Sequence, residues 1–274
     1  MALGHCCLCL HNGCRMDCSL HRLPSHRSVS LNEYSRLRFE PTMKMKNALT
    51  TKMSLSELID IDFSLLQVIS RMGLDLSYAS LPVSEACRKC GIDPDTFILI
   101  CNVYSFPDHV PSPEELAGGN IRNIIDYLHS SHLYYMGQAI RVLENSFDKL
   151  VAPFDEKQKK VVLKFFNDYK EELDKHFSYE EEVVFPYIEA LQRDGARTSE
   201  YSIEQFEEHH ENVEEKLEDM KNIVMKYLPA KCSNDLKIMV LLSIYHLHDD
   251  LRRHTYVENN ILVPIVGRLE RDGK

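Results

Sequence analysis

Glycine and proline are scarce in this chain, ten and eleven residues in 274, and that scarcity fits a globular protein of long helices. No apolar run approaches the length of a membrane helix, so no spanning helix is expected. The N-terminus lacks a basic region followed by an apolar core and a cleavage site, so no secretory signal is expected. Basic charge is also short: 32 Lys and Arg stand against 42 Asp and Glu, for a net charge of −10. Residues 1–52 carry eight basic and three acidic residues, so the rest of the chain is strongly acidic. An acidic body excludes nucleic acid as the main partner, because phosphate contacts need a clustered basic surface. The nine cysteines are an odd number, and Cys87, Cys90, Cys101 and Cys232 lie far from the N-terminal cluster. They read as thiols in a reducing cytoplasm, not as a disulfide framework.

Four parts follow one another along the chain. Residues 1–45 read as an irregular leader, or as an extension upstream of a start at Met43 or Met45. His5, Cys6, Cys7, Cys9, His11, Cys14 and Cys18 crowd together there. Such donors suit zinc, but their spacing leaves very little chain to fold around it. Residues 46–105 read as a small helical domain. Leu55, Leu58, Ile59, Phe63, Leu66 and Ile69 repeat at helical spacing up to a stop at Gly73; Ser84 and Glu85 open a helix ended by Gly91; Asp93-Pro94 starts another. Residues 106–120 form a linker marked by Pro107, Pro111, Pro113, Gly118 and Gly119. Amphipathic segments near 121–150, 156–192, 202–228 and 234–269 then predict an all-α, up-down-up-down four-helix bundle over residues 121–272.

The bundle carries an internal echo. His176-Phe-Ser-Tyr-Glu180 returns as His254-Thr-Tyr-Val-Glu258, each with Pro ten residues after the His (Pro186, Pro264). A His and a Glu four apart share a helix face. The apolar stripes of the other two long helices contain His129, His132 and His210. A lone inward His is usually a hydrogen-bonded core residue, but an unpaired buried carboxylate costs several kcal/mol or is neutralised. Histidines from four helices and two glutamates converging on one core are explained together by a metal. At about 100° per residue, His209, His246 and His248 fall off their stripes, and His132 lies about 60° from His129. His132 therefore reads as a hydrogen-bonding neighbour more readily than as a further ligand. Imidazole and carboxylate donors with open positions suit iron or manganese better than structural zinc.

These motifs resemble the hemerythrin-like fold, and more closely the di-iron Repair of Iron Centres family. Leu128-His129-Ser-Ser-His132 resembles that family's first-helix motif. His176 to Glu181 with Phe185-Pro186, His209-His210-Glu211, and His254 to Glu258 with Pro264 resemble the other three. The resemblance implies a non-haem di-iron centre with an oxide or hydroxide bridge, held by His129, His176, Glu180, His210, His254 and Glu258, with manganese as the lesser alternative. It further implies repair of iron–sulfur clusters damaged by nitric oxide or oxidants. Its partners would be NO or O2 and damaged iron–sulfur proteins, with a homodimer admitted. The alternative is an O2/NO sensor or carrier. The small domain resembles the family's N-terminal domain, but Ser77 and Tyr78 stand where the family has adjacent cysteines. Cys87 and Cys90, inside a helix, read as packing residues.

Overall fold

A computed structural model describes residues 48–195, 201–208, 213–229 and 232–272. Its compact unit spans residues 47–274, and no strand occurs among the described residues. Among them no helix is long and apolar enough to cross a membrane. The crowded histidines and cysteines of residues 1–45 lie outside the described residues.

The small module opens with α1 (Leu55–Ile61), which Ser54 and Glu57 close with reciprocal side-chain-to-backbone hydrogen bonds. The single helix expected up to Gly73 is in fact two. Asp62 adopts an extended conformation and accepts a hydrogen bond from the Ser64 N–H, so the chain breaks before α2 (Leu65–Arg71). That break turns Phe63 and Leu66 outward, 76% and 41% exposed, although their spacing suggested core positions. A 3₁₀ turn (Leu76–Tyr78) carries exposed Ser77. Helix α3 (Val83–Cys90) ends at Gly91, whose φ of 74° is the left-handed conformation that glycine tolerates. Helix α4 (Pro94–Ser105) starts on the Asp93 side chain, with Pro94 in the first turn. The expected linker contains a capped turn of helix, α5 (Pro113–Ala117).

Four long rods follow. The first is α6 (Ile121–Tyr134), a π-helical turn (Tyr135–Ala139) and α7 (Ile140–Val151). The second is α8 (Glu156–Tyr179), a π turn (Glu180–Val184) and α9 (Phe185–Asp194). The third is described as α10 (Ile203–Glu208), α11 (Val213–Asn222) and a π turn (Ile223–Tyr227). The fourth is α12 (Asn234–Val257), a π turn (Glu258–Leu262) and α13 (Val263–Asp272). Helix α7 packs on α8, α8 on α11, α11 on α12, and α12 back on α7, which closes a ring of four. With short connections this is the antiparallel bundle that the periodicity implied.

The apolar interior is divided. One core joins the small module to one end of the bundle, through Leu55, Phe97, Leu128, Val184, Val257 and Ile261 among others. The other fills the opposite end with Tyr135, Phe147, Phe166, Phe177, Val224 and Leu251. Three rods cross from one core to the other at a polar residue: between Leu128 and Tyr135, between Phe177 and Val184, and between Leu251 and Val257. The residues at those crossings make the candidate site.

Candidate metal centre

His132, Glu180, His254 and Glu258 are all buried, and each offers a ligand atom within 4.8 Å of the others. The His176 Nε2 lies 2.9 Å from Glu180 Oε1 and adds a fifth side chain. The two glutamates each begin a π turn. There the N–H of Phe185 reaches back to the Glu180 carbonyl, and that of Val263 to the Glu258 carbonyl. Pro186 and Pro264 follow immediately. Proline has no N–H to give and crowds the carbonyl four residues back, so the widened turn relieves a conflict built into both copies of the echo.

Aromatic rings wall the cluster. The His132 ring stacks on Phe177 at 4.2 Å between centroids, on His254 at 5.0 Å and on Phe185 at 5.7 Å. Tyr135 lies 5.5 Å from the His254 ring and is itself fully buried. These rings exclude water from the donors, which strengthens every charge interaction among them.

The expected ligands divide on inspection. His176, Glu180, His254 and Glu258 come together. His210 lies outside the described residues. His129 does not join them: its side chain is 51% exposed and its Nδ1 lies 2.9 Å from Glu181 Oε2. His132, read from the sequence as a neighbour, occupies the interior position instead, with its side chain 5% exposed. The physical reason is register. Ile121, Ile124, Ile125, Leu128, His132 and Tyr135 form the buried face of α6 and the turn after it, and His129 falls beside that face.

The cluster is costly as a purely protein arrangement. His132 Nε2 approaches Glu180 Oε2 to 3.0 Å, yet without the alignment of a hydrogen bond. Both Glu180 oxygens and the Nε2 atoms of His132 and His254 are buried without an aligned hydrogen bond. Burial pushes the Glu258 carboxyl well above the usual range, and facing Glu180 adds to the shift. Burial would raise Glu180 too, but the imidazoles of His132 and His176 outweigh it and hold that carboxyl low. Burial, with His132 adding to it, pushes His254 well below the ordinary histidine range. Buried nitrogen and carboxylate donors aimed at a shared space fit a divalent cation, which neutralises the second carboxylate and takes the imidazole lone pairs.

A second polar group, absent from the sequence reading, supports the fourth rod. Arg71 of α2 clasps Asp250 with both guanidinium arms, the Nη1 to Oδ1 distance being 2.9 Å, and both side chains are buried. The Tyr104 hydroxyl donates to the same carboxylate at 3.0 Å, and the Tyr135 hydroxyl donates to the Asp250 carbonyl at 3.2 Å. Asp250 sits one turn before His254, so the small module grips the helix that presents a site histidine. The signal was available in part: Asp250 lies within about 40° of His254 around the helix. Its partner, 179 residues away, was not legible. Cys87 is buried in the core with its thiol pushed up to about 12 by burial, as a packing residue would be.

A family model described as the Hemerythrin HHE cation binding domain matches residues 123–266, just over half of the chain and all five clustered side chains. No curated protein matches the chain.

Proposed function

The chain belongs to the hemerythrin HHE cation-binding family, whose description makes metal binding its function at the coarse level, and we propose that the metal is a pair of irons serving the repair of damaged iron–sulfur clusters. The observation that carries the reading is the buried set His132, Glu180, His254 and Glu258, joined by His176. His132, His176, Glu180, His254 and Glu258, with His210 as the expected sixth, would hold the metal. A nitrogen and carboxylate set with no thiolate suits iron before zinc, with manganese the nearer rival. The chemistry a bound iron pair supplies is a change of oxidation state and an open position for NO or a dioxygen-derived ligand. The protein's part is to fix the two glutamates at the start of π turns, to exclude water with Phe177, Phe185 and Tyr135, and to hold the fourth rod through Asp250 and Arg71.

A second reading, a sensor or carrier of NO or O2, is favoured by one specific observation. Ser77 and Tyr78 occupy the 3₁₀ turn where the repair family has adjacent cysteines, so no thiol pair is offered there for redox work or iron delivery. Incubating the iron-loaded protein with a nitric-oxide-damaged iron–sulfur enzyme separates the two. Recovery of that enzyme's activity supports repair. No recovery, together with NO binding by the loaded protein, supports sensing.

A further inference from the structure

Glu180 and Glu181 are neighbours in sequence and grip opposite sides of one imidazole. Glu180 Oε2 lies 3.0 Å from His132 Nε2, on the cluster side. Glu181 Oε1 lies 2.7 Å from His132 Nδ1, on the side toward solvent. The same Glu181 carboxylate meets His129 Nδ1 at 3.0 and 2.9 Å. The π turn that begins at Glu180 sets one carboxylate inside the cluster and leaves the other at its rim, where its side chain is 31% exposed.

We propose that Glu181 is a positioning residue for the metal centre, accepting the Nδ1–H of His132 so that its Nε2 lone pair faces the cation, while exposed His129 holds Glu181 in place. This rests on the metal reading above. A ligating imidazole needs its other nitrogen protonated and oriented, and a carboxylate at that nitrogen does both. The internal echo makes the assignment specific. Residue 259, which occupies Glu181's place in the second copy, is an exposed asparagine. The carboxylate is therefore present in the copy that His132 contacts and absent from the other. A plain surface ion pair between His129 and Glu181 would contribute little. That reading does not account for the shortest of the three contacts running to the buried His132.

The test uses zinc as a diamagnetic probe on the full chain, with affinity measured by competition against a chromophoric chelator. Glu181→Ala should weaken binding by about ten- to a hundredfold. Glu181→Gln should recover most of that loss, because its amide oxygen still accepts the Nδ1–H. In zinc-loaded protein the slowly exchanging His132 Nδ1 proton should be visible by nitrogen-15 NMR in the unmodified protein and in Glu181→Gln, and lost in Glu181→Ala. Zinc binding by Glu181→Ala as tight as in the unmodified protein, or an unchanged His132 proton in that variant, would overturn the proposal alone. Failure of the unmodified protein to bind zinc would overturn the metal reading and this proposal with it.

Discussion

His129 and His132 differ by less than one helical turn, and that difference decides which of them can see a buried cation. The sequence shows both on an apolar stripe, but the finer register, set by Ile124, Leu128 and Tyr135, turns His132 inward and leaves His129 on Glu181. Replacing His132 with Ala should cost cation affinity more than the roughly 10–100-fold typical of a lost supporting residue, and replacing His129 with Ala should cost less than that range. Chelator competition on the two variants reads the order, and the reverse order would restore His129 as the ligand. Protonation gives a second prediction at this scale. Without metal, burial and the facing Glu180 push the Glu258 carboxyl well above the usual carboxylate range, so a proton there competes with a cation for the same oxygens. Proton and cation compete, so affinity should rise with pH. Titrating metal into weakly buffered protein should release acid, and Glu258→Gln should release less. Binding without proton release would show that Glu258 is already ionised.

The rods were legible as elements and the π turns inside them were not. Apolar spacing placed the four long helices to within a few residues, because core-facing side chains must recur every 3.6 residues. A π turn advances that register, so α-helical spacing from His176 and Glu180 points to Val183 whereas Val184 is the buried residue, 39% against 0% exposed. The available signal was Pro186 and Pro264, each six residues past a glutamate inside a helix that continues. Val184→Ala should therefore destabilise the fold by about 1–3 kcal/mol, while Val183→Ala stays within about 0.5 kcal/mol. Denaturant unfolding of both variants checks this, and equal effects would mean that the helix keeps ordinary α register through Glu180. The break at Asp62 was hidden for a related reason. A local side-chain-to-backbone hydrogen bond ended a helix whose apolar spacing ran on unbroken.

At the scale of the molecule, two apolar cores meet at a polar layer, and a small module is fastened to the bundle beside that layer. Arg71 and Asp250 make the fastening. Removing one partner of a buried ion pair leaves the other charge uncompensated, so Asp250→Ala should cost about 3–5 kcal/mol, whereas replacing both residues by apolar ones of similar size should cost far less. Unfolding curves for Asp250→Ala and for Arg71→Met with Asp250→Leu test the pair, and a small loss in the single variant would contradict its burial. This long-range pairing could not be read from the sequence, which shows periodicity within an element but not which distant elements meet. The central proposal is that the cation in the polar layer is a pair of irons. It is tested most directly by the metal content of protein purified without added metal or air, with an optical spectrum taken before and after oxidation. The account predicts close to two irons per chain, with bands of an oxygen-bridged iron pair appearing on oxidation. One zinc per chain, or no metal in a stably folded protein, would contradict it.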